Sequence, residues 1–315
     1  MVRRPAPKAK SAKAAPPADR EPEAVEIAGV RLTNPQRVLW DEQDVTKQEL
    51  AEFYVGIADW LLPHIAGRPL ALVRCPAGSE KSCFFQKHPW AGLSEHIERR
   101  MLRHDGKDEE VVLVEDIKGV VGLVQAGVLE IHPWGAAIER VDRPDRVIFD
   151  FDPGEGVGWP EVIEGAQEVR RRLSALRLES FVKTTGGKGL HVVVPVAPDG
   201  DWDDAKAFTR AIADAMVADG PHRYTTASLK SEREGRIFID YLRNTRGATA
   251  VAPYSTRARK GAPVSTPLAW EELSPDVPSN HYTVTNLAER LKGLRDPWAG
   301  FFKARQKLPG LGKIA

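Results

Sequence analysis

The sequence has only two cysteines, no long apolar run and almost no net charge. Cys75 and Cys83 lie eight residues apart without a CxxC pair or a pair of histidines nearby. This spacing favours two ordinary core cysteines over a disulfide or a zinc site. No stretch approaches the roughly 18 apolar residues of a membrane span, and the Ala/Pro/Lys-rich start lacks the apolar segment of a signal peptide. These absences predict a soluble, cytoplasmic protein that does not contact membranes.

The net charge of +1 conceals an uneven distribution. Residues 1–20 contain six Lys or Arg residues and one acid, so the rest of the chain is net acidic. A nucleic-acid-binding protein of this kind would depend on local basic patches, not on a uniform positive field.

The chain divides into three parts. Residues 1–24 are low-complexity Pro, Ala and Lys, which predicts a disordered basic tail. Residues 25–143 are expected to form an N-terminal lobe and residues 144–315 a second, catalytic lobe, the two making one compact domain. Mixed helical and strand patterns indicate an α+β fold.

Capping and periodicity predict four helices. Thr46 and Glu49 form a capping box for a helix whose apolar face continues to Leu61. A second helix covers residues 116–125, Pro160 begins a third, and Asp203 caps a fourth that ends at Gly220. Strands are predicted at residues 69–74, 111–114, 128–132, 146–152, 180–184, 190–196 and 236–242.

Two acidic residues end one of these strands. Because strand side chains alternate, Asp150 and Asp152 in Asp150-Phe-Asp152-Pro-Gly share one face. Like charges this close raise each other's pKa unless a cation lies between them, which favours Mg²⁺ or Mn²⁺. A capped turn at a strand end is the alternative.

A third acid, Asp240, lies in the apolar strand Ile237-Phe-Ile-Asp240. A carboxylate in a buried strand costs several kcal/mol unless it is paired or binds a metal. Together the three acids predict a two-metal site for nucleotidyl transfer.

A glycine-rich segment, Thr184-Thr185-Gly-Gly-Lys188-Gly-Leu-His191, lies between two predicted strands. Glycines let backbone N–H groups approach phosphate oxygens, and the hydroxyl, ammonium and imidazole add further groups. The segment is not a Walker A loop, because the spacing differs and a strand follows. An ordinary glycine hairpin is the alternative.

Downstream cations extend this pattern. Arg243 follows Asp240, and Arg257 and Arg259 lie one residue apart in Ala-Pro-Tyr-Ser-Thr-Arg257-Ala-Arg259. Arginines spaced in this way face the same side of an extended chain and suit bidentate phosphate binding. A solvated basic loop is the alternative.

These motifs, in their order and spacing, closely resemble the polymerase domain of bacterial DNA ligase D, in the archaeo-eukaryotic primase superfamily. The resemblance covers residues 32–308, including the Asp240-Tyr-Leu-Arg-Asn strand end. It implies a primase-like fold with an RRM-like catalytic sheet packed against an N-terminal α/β lobe. It also implies two divalent cations, Mn²⁺ or Mg²⁺ with Mn²⁺ favoured, and a preference for ribonucleotides over deoxyribonucleotides.

The resemblance also assigns roles to individual residues. Asp150, Asp152 and Asp240 would be the catalytic metal ligands. The nucleotide-binding residues would be His132, Thr185, Lys188, His191, Arg243, Thr249, Arg257 and Arg259. Among them, His132 would contact the incoming nucleotide or primer end, and Arg243 and Thr249 the ribose.

For DNA, the resemblance implies a 5′-phosphate grip by Arg37 and Lys47 and a template platform at Phe84 and Phe85, since an aromatic face stacks on any base. Relatives often carry Ser and Lys where this chain has Thr185 and Arg37, which keeps the hydroxyl and the charge.

The expected function is template-directed gap filling and end extension in bacterial non-homologous end joining, with Ku and a ligase as partners and a nucleoid-associated location. The sequence has no Lys-x-Asp-Gly ligase motif, so a freestanding polymerase or an excised domain is expected. A replicative or plasmid primase and a non-catalytic DNA-end-bridging module are the alternatives.

Overall fold

The computed structural model describes residues 23–314. The helices in this range are α1 Lys47–Gly56, α2 Ala58–Ile65, α3 Ile117–Gln125, α4 Trp159–Ala175, α5 Trp202–Asp219 and α6 Leu287–Leu291. The strands are β1 Ala24–Ile27, β2 Val30–Thr33, β3 Val38–Trp40, β4 Val45–Thr46, β5 Leu70–Arg74, β6 Phe84–Gln86, β7 Glu98–His104, β8 Lys107–Leu113, β9 Val128–Pro133, β10 Arg146–Pro153, β11 Phe181–Thr184, β12 Leu190–Pro195, β13 Tyr224–Thr225, β14 Ile237–Asp240 and β15 Pro267–Leu268. The predicted tail lies outside the described residues, except that Ala24 already begins β1.

The larger sheet has six strands in the order β13-β14-β10-β12-β11-β15. Every neighbouring pair is antiparallel except β13 and β14. One face is apolar and packs on α4 and α5, with Phe149 and Phe151 fully buried against Val169 and Phe208. The opposite face is left for polar side chains, because alternate residues of a strand point to opposite sides.

The smaller sheet contains β6, β5, β8 and β7, with β9 also paired to β5. Its core takes in Leu50 and Tyr54 of α1 and Val121 of α3. Tyr254 and Val264, from far along the chain, are buried in the same core. The α+β prediction is therefore confirmed, and the division of the chain at residues 143 and 144 stays a prediction.

Local signals placed the helices well, with two corrections. The capping box of Thr46 and Glu49 is present, and Asp116 caps α3. The prediction of one helix continuing to Leu61 is wrong, because α1 ends at Gly56 and α2 begins at Ala58. The cap of α5 is Asp201 and not Asp203, since Asp201 and Asp204 form the capping box there.

The prediction of two unpaired cysteines is wrong, because Cys75 and Cys83 form a disulfide with Cα atoms 4.4 Å apart. The cause is the hairpin of β5 and β6. Its register places Arg74 opposite Phe84, so the residues just beyond them, Cys75 and Cys83, are cross-strand neighbours.

Candidate active site

A single row of polar residues crosses four strands of the larger sheet. Lys183 on β11 is paired with His191 on β12, His191 with Asp150 on β10, and Asp150 with Asp240 on β14. Cross-strand partners project to the same face. The hydrogen-bond register thus brings together two predicted metal ligands and a predicted phosphate ligand that are far apart in the sequence.

The guanidinium of Arg243 lies between the two paired aspartates. Its Nε is 3.1 Å from Asp150 Oδ2 and 3.2 Å from Asp240 Oδ2. On the other side of Asp150, His191 Nε2 lies 3.4 Å from Oδ1. Asp152 accepts a hydrogen bond of 3.0 Å from Arg233.

The three carboxyl groups differ electrostatically. Burial alone would raise the pKa of Asp150, but His191 and Arg243 outweigh burial and hold that pKa far below its usual value. The pKa of Asp152 is raised by burial and by the neighbouring Asp150. The pKa of Asp240 is also raised, by burial and by Asp150, although Arg243 opposes the change. The raised pKa values of Asp152 and Asp240 show that the carboxyl groups still repel one another although Arg243 and Arg233 lie beside them.

This donor set fits hard divalent cations. Carboxylate oxygens are the ligands that Mg²⁺ and Mn²⁺ prefer, and Asp150 and Asp240 already flank one cationic group, Arg243. Over residues 23–314, no three His, Cys, Asp or Glu side chains are arranged to hold a metal ion, and Asp152 is paired with Arg233. Convergence of all three aspartates on metal ions stays a prediction.

The glycine-rich segment is the turn between β11 and β12. Gly186 has φ +66°, and a Cβ there would lie 2.8 Å from Arg257 Cγ, while a Cβ at Gly189 would lie 2.0 Å from the carbonyl oxygen of Phe151. Only glycine fits such a close approach to β10. The Thr185 hydroxyl accepts from the N–H groups of Gly187 and Gly189, each at 3.3 Å, so it fixes the shape of the turn.

A buried carboxylate, Glu130 of β9, organises the cations beside this turn. It is within 2.8 Å of His132 Nε2 and 3.0 Å of Arg257 Nε, and it accepts from the Ala258 N–H at 2.9 Å. Burial would raise the pKa of Glu130, but these three partners outweigh burial and lower it to about 2. Arg257 also donates to the carbonyl of Thr185, which ties the smaller sheet to the glycine turn.

Most of the predicted site residues line one cleft of about 1260 Å³ between the two sheets. Lys188 and Arg259 are exposed in it. The predicted residues on its wall are His132, Asp150, Asp152, Thr185, Lys188, His191, Arg243, Thr249, Arg257 and Arg259, together with Phe84 and Phe85. Asp240 does not line the cleft but reaches it through Arg243.

The aromatic pair is placed on β6 at the mouth of the cleft. Phe84 is 44% exposed and Phe85 is 62% exposed, which is unusual for phenylalanine in a folded protein. The Phe85 ring lies 5.6 Å from the His132 ring, centroid to centroid. The predicted platform thus adjoins a predicted nucleotide-binding residue.

Arg37 and Lys47 lie outside the cleft. Arg37 is exposed and donates to the carbonyl of Pro76 at 2.9 Å. Lys47 is buried, and its amine donates to the Thr33 carbonyl at 2.9 Å and to Gln125 Oε1 at 2.7 Å. Burial, followed by repulsion from Arg37, lowers the pKa of Lys47 to about 8.

Three residues of the site were missed by sequence reasoning. Glu130 precedes His132 by two positions, so strand alternation could have placed both on one face. Lys183 is buried, donates to Ser265 Oγ at 2.6 Å and has a pKa that burial lowers well below its usual value. Arg233, which binds Asp152, comes from an irregular segment with no signal in the sequence.

Comparison with known proteins identifies the class. The family model described as LigD, primase-polymerase domain, matches residues 46–298. A Pseudomonas aeruginosa protein, "Multifunctional non-homologous end joining protein LigD", is 39% identical over 283 residues, 89% of this chain and 34% of that protein. A protein of the same description from Mycolicibacterium smegmatis is 34% identical over 264 residues, 83% of this chain and 34% of that protein.

A solved structure agrees with this result. The polymerase domain of Mycobacterium tuberculosis Ligase D in complex with DNA superposes with a TM-score of 0.80 at 28% identity, covering 88% of this chain and 99% of that chain. The fold and the family match define a primase-polymerase domain, which is a nucleotidyltransferase class. More particularly, the chain belongs to the family of LigD primase-polymerase domains. It spans about a third of the length of these two curated relatives. In the described part of the chain, no helix has both the length and the apolar character needed to cross a membrane.

Proposed function

We propose that this chain is a template-directed DNA-dependent nucleotidyltransferase that fills gaps and extends ends in bacterial non-homologous end joining, favouring ribonucleotides. The observation that carries the proposal is the cross-strand row of His191, Asp150 and Asp240 beside the glycine turn. It joins a carboxylate centre to an anion-binding loop within one cleft. Ku and a DNA ligase are the proposed partners, and the names of the longer relatives include non-homologous end joining.

The carboxylates would hold two divalent cations, Mn²⁺ or Mg²⁺, at Asp150, Asp152 and Asp240. Such cations, when bound, lower the pKa of an attacking hydroxyl and offset the charge of a leaving pyrophosphate. The protein's own part is to keep Asp150 ionised in a buried position, which His191 and Arg243 do by lowering its pKa.

The cationic wall would bind the triphosphate of the incoming nucleotide. Lys188 and Arg259 are exposed in the cleft, and Arg257 is fixed from behind by Glu130. The pKa of His191 is lowered to about 4 by burial and then by Lys183, and its imidazole would act on the triphosphate as a hydrogen-bonding group. Thr185, whose hydroxyl shapes the glycine turn, would help to bind the same triphosphate.

The remaining contacts would position the nucleic acid and the sugar. Arg243 donates to the Thr249 carbonyl at 3.3 Å, and this pair would lie beside the ribose and its 2′-hydroxyl. His132 would face the primer end or the incoming nucleotide. Phe84 and Phe85 would stack on template bases without reading their sequence.

The Asp150→Ala variant tests the chemistry. We expect incorporation of labelled nucleotide into a gapped duplex with Mn²⁺ to fall more than a hundredfold, because a metal ligand is lost, while DNA affinity changes less than about threefold. Asp150→Asn, which preserves shape, should behave alike, and Asp59→Ala, an exposed residue of α2, should keep full activity. Retained activity in both Asp150 variants would refute the catalytic assignment.

The same assay separates the alternatives. Synthesis on an unprimed template would favour a primase, and binding without extension by the unaltered protein would favour an end-bridging module. Comparing the incorporation of ribonucleotides with that of deoxyribonucleotides measures the sugar preference.

We propose that Arg37 and Lys47 bind the 5′-phosphate on the far side of the gap. An ammonium has three N–H groups and Lys47 uses two on Thr33 and Gln125, so one remains for a phosphate oxygen. Gapped DNA with a 5′-phosphate should bind about tenfold more tightly than the dephosphorylated form at pH 7, as one charged hydrogen bond would give.

Lys47→Met should abolish this preference, whereas Lys303→Met, an exposed control, should keep it. Because the pKa of Lys47 is about 8, the preference of the unaltered protein should also weaken as the pH rises from 7 to 9. Equal binding of the two DNA forms at pH 7 would contradict the assignment.

A further inference from the structure

Two buried arginines share one acid where β10 begins, four residues before Asp150. Arg68 and Arg146 are each only 6% exposed. Arg68 Nη1 lies 3.1 Å from Asp145 Oδ1, and Arg146 Nε lies 2.9 Å from the same oxygen. Arginine remains protonated in proteins, so this cluster has one positive charge more than its carboxylate can balance.

The excess charge faces a pocket. Arg146 lines a cavity of about 280 Å³ that shares no lining residue with the cleft of the active site. Asp145 is the only acid among its lining residues. Its arginines are Arg140, Arg143, Arg146 and Arg305.

The rim arginines are poorly compensated. Arg140 and Arg305 are exposed and form no ion pair with any residue of the range 23–314. Arg143 donates to the carbonyl of Asp199 at 3.0 Å, and the Asp199 carboxylate is already paired with Lys307. The walls are apolar: Phe301 lies under the guanidinium of Arg146, and Phe302 is 51% exposed.

We propose that this pocket is a second phosphate-binding site. Several guanidinium groups that line one cavity can bind the oxygens of a phosphate, and the exposed ring of Phe302 in the same lining suits the sugar or base attached to it. The volume is near the lower limit of small-ligand pockets, so it accepts one nucleotide unit and not a longer segment. The phosphate belongs either to a nucleic-acid strand leaving the cleft or to a free nucleotide.

The first experiment uses inorganic phosphate and needs no polymerase activity, so its result is independent of the proposed function. The midpoint of thermal unfolding is measured in sodium phosphate and in sodium chloride of equal ionic strength. We expect phosphate to raise the midpoint by roughly 2 to 4 °C. The double variant Arg140→Gln and Arg305→Gln should lose this gain and still fold, because both side chains are exposed.

Two controls locate the effect. Arg171→Gln, an exposed residue of α4 on the other side of the larger sheet, should keep the gain. Lys188→Gln, in the cleft, should also keep most of it. The proposal is overturned if the unaltered protein shows no gain, if the double variant keeps it, or if Lys188→Gln alone removes it.

The second experiment identifies the source of the phosphate. Affinity for a 12-nucleotide single strand is measured by fluorescence anisotropy over a series of salt concentrations. If the pocket holds a backbone phosphate, the double variant should reduce the slope of log affinity against log salt by about 0.7. If the slope is unchanged and adenosine monophosphate stabilises the unaltered protein but not the double variant, the ligand is a free nucleotide.

Discussion

Replacing Glu130 by Gln should show how much of the stability around His132 and Arg257 depends on one buried carboxylate. Gln has nearly the same shape but no charge, so His132 and Arg257 would keep a neighbour and lose an anion. A carboxyl whose pKa falls from 4.5 to about 2 on folding contributes about 3 kcal/mol at neutral pH. Because Glu130 is only 6% exposed, little of this is lost to solvent screening.

The sign of the pH dependence follows from the lowered pKa. The stabilisation is complete above pH 4.5 and is lost as the pH falls from 4.5 towards 2. The thermal midpoint of Glu130→Gln should therefore lie roughly 6 °C below that of the unaltered protein at pH 7. At pH 3 the difference should be less than half as large.

The assay is thermal unfolding followed by circular dichroism at pH 7, 4 and 3, with Glu26→Gln on the exposed strand β1 as the matched control. The control should differ by less than about 1 °C at every pH. A Glu130→Gln deficit that is the same at pH 7 and pH 3 would show that the loss is one of packing and that the ion pairs contribute nothing.

Two more predictions concern the hairpin of β5 and β6 at the edge of the cleft. A dithiol reduces the Cys75–Cys83 disulfide to two thiols and is itself oxidised to a cyclic disulfide. This should lower the thermal midpoint by roughly 4 to 6 °C, because opening the loop between the cysteines removes about 2.5 kcal/mol in the chain-entropy model. The Cys83→Ser variant should have a lower midpoint from the start and not respond to the dithiol; an equal response in both proteins would exclude the disulfide. Phe85→Ala should weaken binding of a gapped duplex by about tenfold or more, because one stacked base is lost. Stability should change little, since the ring is 62% exposed. Unchanged affinity would show that Phe85 is not part of the template platform.

The sequence predicted those parts of the fold that local chemistry decides. The capping box of α1, the apolar strands β10 and β12 and the start of α4 near Pro160 all have short-range signals. Strand β7, with the sequence Glu-Arg-Arg-Met-Leu-Arg-His, was missed because it is mostly exposed and shows little apolar alternation. The disulfide was missed for a related reason: it depends on β6, a strand of three residues whose phenylalanines both face solvent.

The site divides in the same way. The motifs around Asp150, Lys188 and Arg257 were recognisable one by one, and all three residues line one cleft. What the sequence did not contain was the pairing register that sets His191 and Asp240 on either side of Asp150. Much of the role of Glu130 was equally hidden, because two of its three partners, Arg257 and Ala258, are more than 100 positions away in the sequence.

The path of residues 252–264 has a consequence for dissecting the molecule. Tyr254 is buried in the core of the smaller sheet. Two residues later, the Thr256 hydroxyl lies 2.9 Å from the Tyr54 hydroxyl, and the next residue is Arg257. Arg257 is thus held in place by a part of the chain that precedes it by about two hundred residues. A fragment that contained the larger sheet alone would keep the aspartates but lose the packing around Tyr54 that positions Arg257.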